Sequence, residues 1–129
     1  MLIQPLQDPA SSSQEAGERK AKLVQERFRL AGEEALKVIL AERVAKGWGV
    51  PTVERYDGGG RQAVVAVRDL FECLPFQGKM AEPSSHLFRG YLAGVLTQLM
   101  ENRVTVREVD CIAKGNPQCT IARRKRREP

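Results

Sequence analysis

From Ser13 to Lys46, apolar residues return at helical spacing (Leu23, Phe28, Ala31, Ala35, Ile39) through a stretch otherwise rich in Ala, Glu, Lys and Arg. The spacing predicts one long helix or two shorter ones. Gly32 is the expected kink or break, because an interior glycine costs about 1 kcal/mol relative to alanine. Val24, Leu36, Val38, Leu40 and Val44 widen the stripe, so this helix is expected to pack against more than one surface. In "KGWGVP", Gly47 and Gly49 flank Trp48, and Pro51 prevents the helix from resuming.

The period then shortens. Runs at 52–56 and 62–68 around a glycine turn at 57–60 predict a hairpin. Its second strand, "AVVAV", is apolar on both faces and therefore belongs in the middle of a sheet. "PFQGKMAEPSS" reads as a loop, with Ser84 or Ser85 placed to cap a helix from about His86 to Met100. Leu87, Tyr91, Val95 and Leu99 recur along that helix. Gly90 and Gly94 lower its intrinsic stability, so they point to close approach by a strand, a helix or a ligand. "NRVTVREVDCIA" and "QCTIARR", turned by "KGNP", complete a second hairpin. Helix, hairpin, helix, hairpin predicts an α+β fold: an antiparallel sheet of two hairpins packed against a long N-terminal helix and a glycine-containing central helix.

Composition narrows the class. The 129 residues suit one domain, expected over 13–122, with a flexible lead-in at 1–12 and a basic tail at 123–129. With 42% apolar and 29% charged residues, and neither a membrane-spanning run nor a secretory segment, the chain is expected to be cytoplasmic. The net charge of +5 is matched by five consecutive basic residues, Arg123 to Arg127. The body is near neutral, so nucleic acid is expected to make no more than weak contacts with the tail.

Candidate chemistry concentrates in "REVDCIAKGNPQCTI". An acid and two cysteines there suit a metal site, a disulfide, or a hairpin whose cysteines act as small apolar residues. In a regular strand Glu108 and Cys111 point to opposite faces, so shared ligation requires a bulge or a turn starting near Asp110. Three cysteines, an odd number without an export signal, argue against a disulfide framework. No catalytic constellation is visible: His86 is the single histidine, Gly58 to Gly60 read as a turn, and Glu33 and Glu34 lie among cations.

"GWGVPTVERYD", "AVVAVRDLFEC" and "HLFRGYLAGVLTQLMENRVTVREVDCIAKGNPQCTI" resemble the 4-vinyl reductase domain family. The resemblance rests on a G-x-x-x-G helix followed by the run holding Glu108, Cys111, Gly115 and Cys119. It implies a fold shared with aromatic-effector sensor domains and TRAPP-type trafficking subunits, usually homodimeric, with a small hydrophobic ligand between helices and sheet. Although the family name refers to a reductase, a non-enzymatic sensor module acting through a separate partner protein is expected. The alternative is a dimeric scaffold with a full core and no ligand. The expected pocket is lined by Trp48, Phe71, Leu87, Tyr91 and Val95, although such aromatics serve a core equally well. The resemblance also implies zinc on Glu108, Cys111 and Cys119, with a fourth ligand just before the glycine helix. Ser85 stands there, a poor zinc ligand, so adjacent His86 is the expected replacement, with Cys73 more distant.

Overall fold

The computed structural model describes residues 9–59, 62–83 and 85–124, with side chains from Ser12 onward. Most of the expected lead-in, the end of the glycine turn, Ser84 and the basic residues 125–129 lie outside these.

The N-terminal periodic stretch is two helices, α1 (Pro9–Phe28) and α2 (Gly32–Ala45). The chain breaks between them because Arg29 and Gly32 adopt left-handed backbone, φ 52° and 57°. α1 begins inside the segment assigned to the lead-in. Its buried positions are Ser13, Gly17, Ala21 and Val24, whereas Leu23 and Phe28 of the expected stripe are exposed. The buried set is small because α1 lies directly on α3 (His86–Leu99). A Cβ on Gly94 would stand 2.0 Å from the Gln14 carbonyl oxygen, and one on Gly17 would stand 2.2 Å from that of Tyr91. Gly94 thus serves close approach by another helix, since backbones meet only where side chains are missing. α2 buries Ala35, Leu36, Ile39 and Leu40 and packs against β1 and α3.

Four strands, β1 (Val50–Asp57), β2 (Gln62–Arg68), β3 (Val106–Asp110) and β4 (Cys119–Arg123), form one antiparallel sheet in the order β1-β2-β4-β3. The "AVVAV" strand is central, as its apolar faces require, and its partner β4 begins with three buried residues, Cys119, Thr120 and Ile121. The edges, β1 and β3, alternate between exposed and half-buried positions. β4 runs through Arg123, and the Arg124 N–H donates to Thr105 O at 2.8 Å. Arg123 of the basic run therefore belongs to the sheet, and Arg124 is tied by its backbone to the residue preceding β3. No helix among the described residues is long and apolar enough to cross a membrane.

Candidate functional site

The β3–β4 connection is built by local turn chemistry. The register slips between Glu108, opposite Ile121, and Asp110, opposite Thr120, so Val109 is bulged outward. That slip removes the parity conflict between Glu108 and Cys111. A 3₁₀ turn at Ile112–Lys114 follows, and Gly115 at φ 108° reverses the chain. Asn116 fixes the loop by accepting the Cys111 N–H on Oδ1 at 3.0 Å while its own N–H donates to Cys111 O at 3.1 Å. Cys119 thereby returns beside Cys111 with sulfurs 4.0 Å apart, and the Ile112 N–H points at the Cys119 sulfur from 3.4 Å.

A third sulfur arrives from the loop after β2. Gly78 and Met80 donate their N–H groups to Ile112 O and Ala113 O at 3.1 and 2.9 Å, docking that loop on the hairpin connection. Cys73 then lies 3.9 Å from Cys111. Ligand atoms of Cys73, Glu108, Cys111 and Cys119 all fall within 4.8 Å of one another. None of the cysteines forms a disulfide, and all three are buried. Tetrahedral zinc with bonds of about 2.3 Å requires sulfurs about 3.8 Å apart, which is nearly the spacing found.

Glu108 is held from one side. Ser85 Oγ donates to its Oε2 at 2.5 Å, and Arg89 Nε stands 3.5 Å from the same oxygen. The other oxygen, Oε1, is buried without a hydrogen-bond partner. A carboxylate oxygen left bare in the core is costly unless a cation meets it. Hydrogen bonding of the protonated Cys119 thiol with Cys73, together with burial, pushes that thiol up, so its thiolate likewise requires a compensating cation. The donor set therefore fits a thiophilic divalent metal such as zinc.

His86 does not join this group. It is exposed on the first turn of α3, with Nδ1 accepting from Arg89 Nη2 at 2.9 Å, and Cys73 occupies the fourth place instead. A residue opening a helix points along the helix surface, whereas the loop bearing Cys73 is folded into the cluster. Ser85 also departs from its expected role. It precedes α3 without capping it, because its hydroxyl is committed to Glu108. Glu72 caps instead, accepting the N–H groups of Leu87 and Phe88 at 3.0 and 2.7 Å. Burial raises the Glu72 carboxyl's pKa despite those two bonds.

The aromatic candidates lie next to this loop. Trp48 is half-buried, with ring centres 5.2 Å from Tyr91, 5.8 Å from Phe71 and 6.3 Å from Phe88. The Phe71 N–H donates to Trp48 O at 2.9 Å. Leu87 is half-buried at the start of α3, its carbonyl accepting from Ser13 Oγ at 2.6 Å, and Val95 is core where α1 crosses. The sequence reading omitted Arg43, whose guanidinium carbon stands 4.7 Å from the Trp48 ring centre and 4.8 Å from that of Tyr91. Its one local signal is its place a turn before "KGWG".

Comparison with known proteins agrees with this architecture. The phenol-responsive sensory domain of the transcription activator PoxR, solved with phenol, superposes at TM-score 0.77 and 20% identity. The match covers 89% of this chain and 61% of that one, so the chain spans about three fifths of that domain's length. A vinyl-4-reductase family protein from Methanocaldococcus jannaschii gives TM-score 0.67 and 16% identity, covering 92% and 68%. A trafficking protein particle complex subunit 3 from Naegleria fowleri, covalently bound to palmitic acid, gives 0.58 and 16%, covering 90% and 76%. No curated protein sequence matches the chain. At these identities the structural likeness is one of fold, and the family model of the 4-vinyl reductase domain matches residues 64–124. The matched stretch takes in most of β2, all of α3 and the second hairpin, which is the part of the fold that holds Cys73, Glu108, Cys111 and Cys119.

Proposed function

We propose that the chain is a small-molecule sensor module for a hydrophobic or aromatic ligand, with no catalytic activity. It works in the cytoplasm as a homodimer and passes its signal to a separate partner protein. The ligand lies against Trp48, Phe71 and Tyr91, and zinc on Cys73, Glu108, Cys111 and Cys119 acts as a structural clamp.

The observation that carries this reading is the placement of three consecutive residues. Phe71 packs on Trp48, Glu72 caps α3, and Cys73 enters the sulfur cluster. One short loop thus joins the aromatic cluster, the central helix and the metal ligands, so a change at the rings is transmitted to the hairpin. The phenol-responsive domain of PoxR lends support as a sensor built on the same fold.

A second reading, a dimeric scaffold without ligand, draws on Leu23 and Phe28 of α1 and Val38 and Val44 of α2, all exposed. The two readings separate on titration. Trp48 is the only tryptophan, so its fluorescence reports the aromatic cluster directly. Saturable fluorescence change and raised melting temperature with single-ring aromatics or medium-chain alkyl compounds support the sensor. An inert response across both series, with an intact dimer by sedimentation, supports the scaffold.

A further inference from the structure

The end of α2 places a cation against aromatic rings in a way its sequence explains. Gly47 takes left-handed backbone at φ 80°, its N–H donates to Val44 O at 2.9 Å, and the Trp48 N–H donates to Arg43 O at 3.0 Å. This reversal folds Trp48 back over Arg43, and Tyr91 of α3 supplies a second ring.

Charge around Arg43 is incompletely balanced. Arg43 Nη2 engages one Glu42 oxygen, and Lys20 Nζ engages the other at 2.9 Å. Burial alone would raise the Glu42 carboxyl, but the hydrogen bonds and charges of Lys20 and Arg43 outweigh it and hold the group below its usual range. Two cations therefore share one carboxylate.

Donors are also left over. Arg43 Nε is buried without a hydrogen-bond partner on a side chain 12% exposed. The hydroxyl of Tyr91, a residue 3% exposed, is likewise buried and unpartnered. Each unmet donor is costly, and a charged one more so. Arginine does not deprotonate, and burial pushes the Tyr91 hydroxyl up to about 12, so both are donors at neutral pH. Beside them lie the apolar faces of Trp48 and Phe71, and Phe71 is partly open to solvent.

Resting on the ligand-binding reading above, we propose that the ligand beside Trp48 is a carboxylate on an apolar body, with Arg43 Nε and the Tyr91 hydroxyl receiving its carboxylate. One anionic head meets both donors and the surplus charge, whereas a neutral alcohol or phenol leaves the charge uncompensated.

The test uses matched pairs, benzoate with benzyl alcohol and octanoate with octan-1-ol, titrated against the full chain at pH 7 and read by Trp48 fluorescence. The carboxylate of each pair is expected to bind at least about tenfold more tightly. Arg43→Gln should bring the ratio to within about twofold. Tyr91→Phe, which removes one oxygen from the core and leaves the ring, should narrow it several-fold with an unchanged fluorescence maximum in the free protein. Equal or tighter binding of the neutral partners overturns this inference and leaves the sensor reading standing. A ratio unmoved in both variants also overturns it. Failure of all four compounds to bind overturns both.

Discussion

Cys73 and Cys111, 38 residues apart in the chain, bring their sulfurs to 3.9 Å in the core. Their meeting draws the loop after β2 onto the second hairpin and completes a four-residue donor set. Protein purified without chelator is expected to hold about one equivalent of zinc by elemental analysis. Cys73→Ala and Cys119→Ala should each lose it, whereas His86→Ala should retain it, because His86 is exposed and paired with Arg89. Loss of zinc in His86→Ala with retention in Cys73→Ala would restore the ligand set expected from sequence.

Ser85 acts on Glu108 from outside the donor set. Its hydroxyl, together with Arg89, occupies Oε2 and leaves Oε1 without a hydrogen-bond partner, where it would meet the zinc proposed above. Removing such a support typically weakens metal binding about 10–100-fold. Ser85→Ala is therefore expected to release zinc to a competing chromophoric chelator at correspondingly lower chelator concentration. Release indistinguishable from wild type would mean that Glu108 needs no orienting partner.

The α1–α3 crossing tolerates no side chain at Gly94. A methyl group there would lie 2.0 Å from Gln14 O, and backbone on both sides prevents local relief. Gly94→Ala should cost about 3 kcal/mol, at the upper end of overpacking effects, and lower the melting temperature by about 10 °C or more. Gly17→Ala should behave similarly. Gly47→Asn is the control, since nothing lies within 4 Å of a Cβ there and asparagine tolerates left-handed backbone.

Stability at alkaline pH should depend on Tyr91. Its hydroxyl is raised from 10.0 to about 12, chiefly by burial, so the native state keeps its proton to higher pH than the unfolded chain. Stability is therefore undiminished below about pH 10 and falls as pH rises towards 12, by about 2 kcal/mol in all. Urea unfolding should show a steeper loss between pH 10 and 12 for wild type than for Tyr91→Phe. Parallel curves would place the hydroxyl in contact with solvent.

Where the chain's local rules were strong, the sequence alone determined the outcome. The unbroken apolar run placed "AVVAV" in the middle of the sheet, because a strand apolar on both faces must be covered on both. Gly47 ended α2 because only left-handed backbone completes that cap at low cost. The parity of Glu108 and Cys111 required an irregular step, and the slip at Val109 supplies it. Tertiary structure decided what local period does not carry. The N-terminal stripe predicted buried Leu23 and Phe28, but the glycine-to-glycine crossing turned α1 so that Ala21 and Val24 face inward. Ser85 sits where a cap or ligand was expected, yet Glu72 caps α3 and Cys73 completes the donor set, both from a loop preceding that helix. Arg43 meets Tyr91 only because α2 and α3 are packed side by side. Hydrophobic period and turn preference act over a few residues, whereas the meeting of side chains at a site depends on the sum of every intervening turn and on which helices can touch.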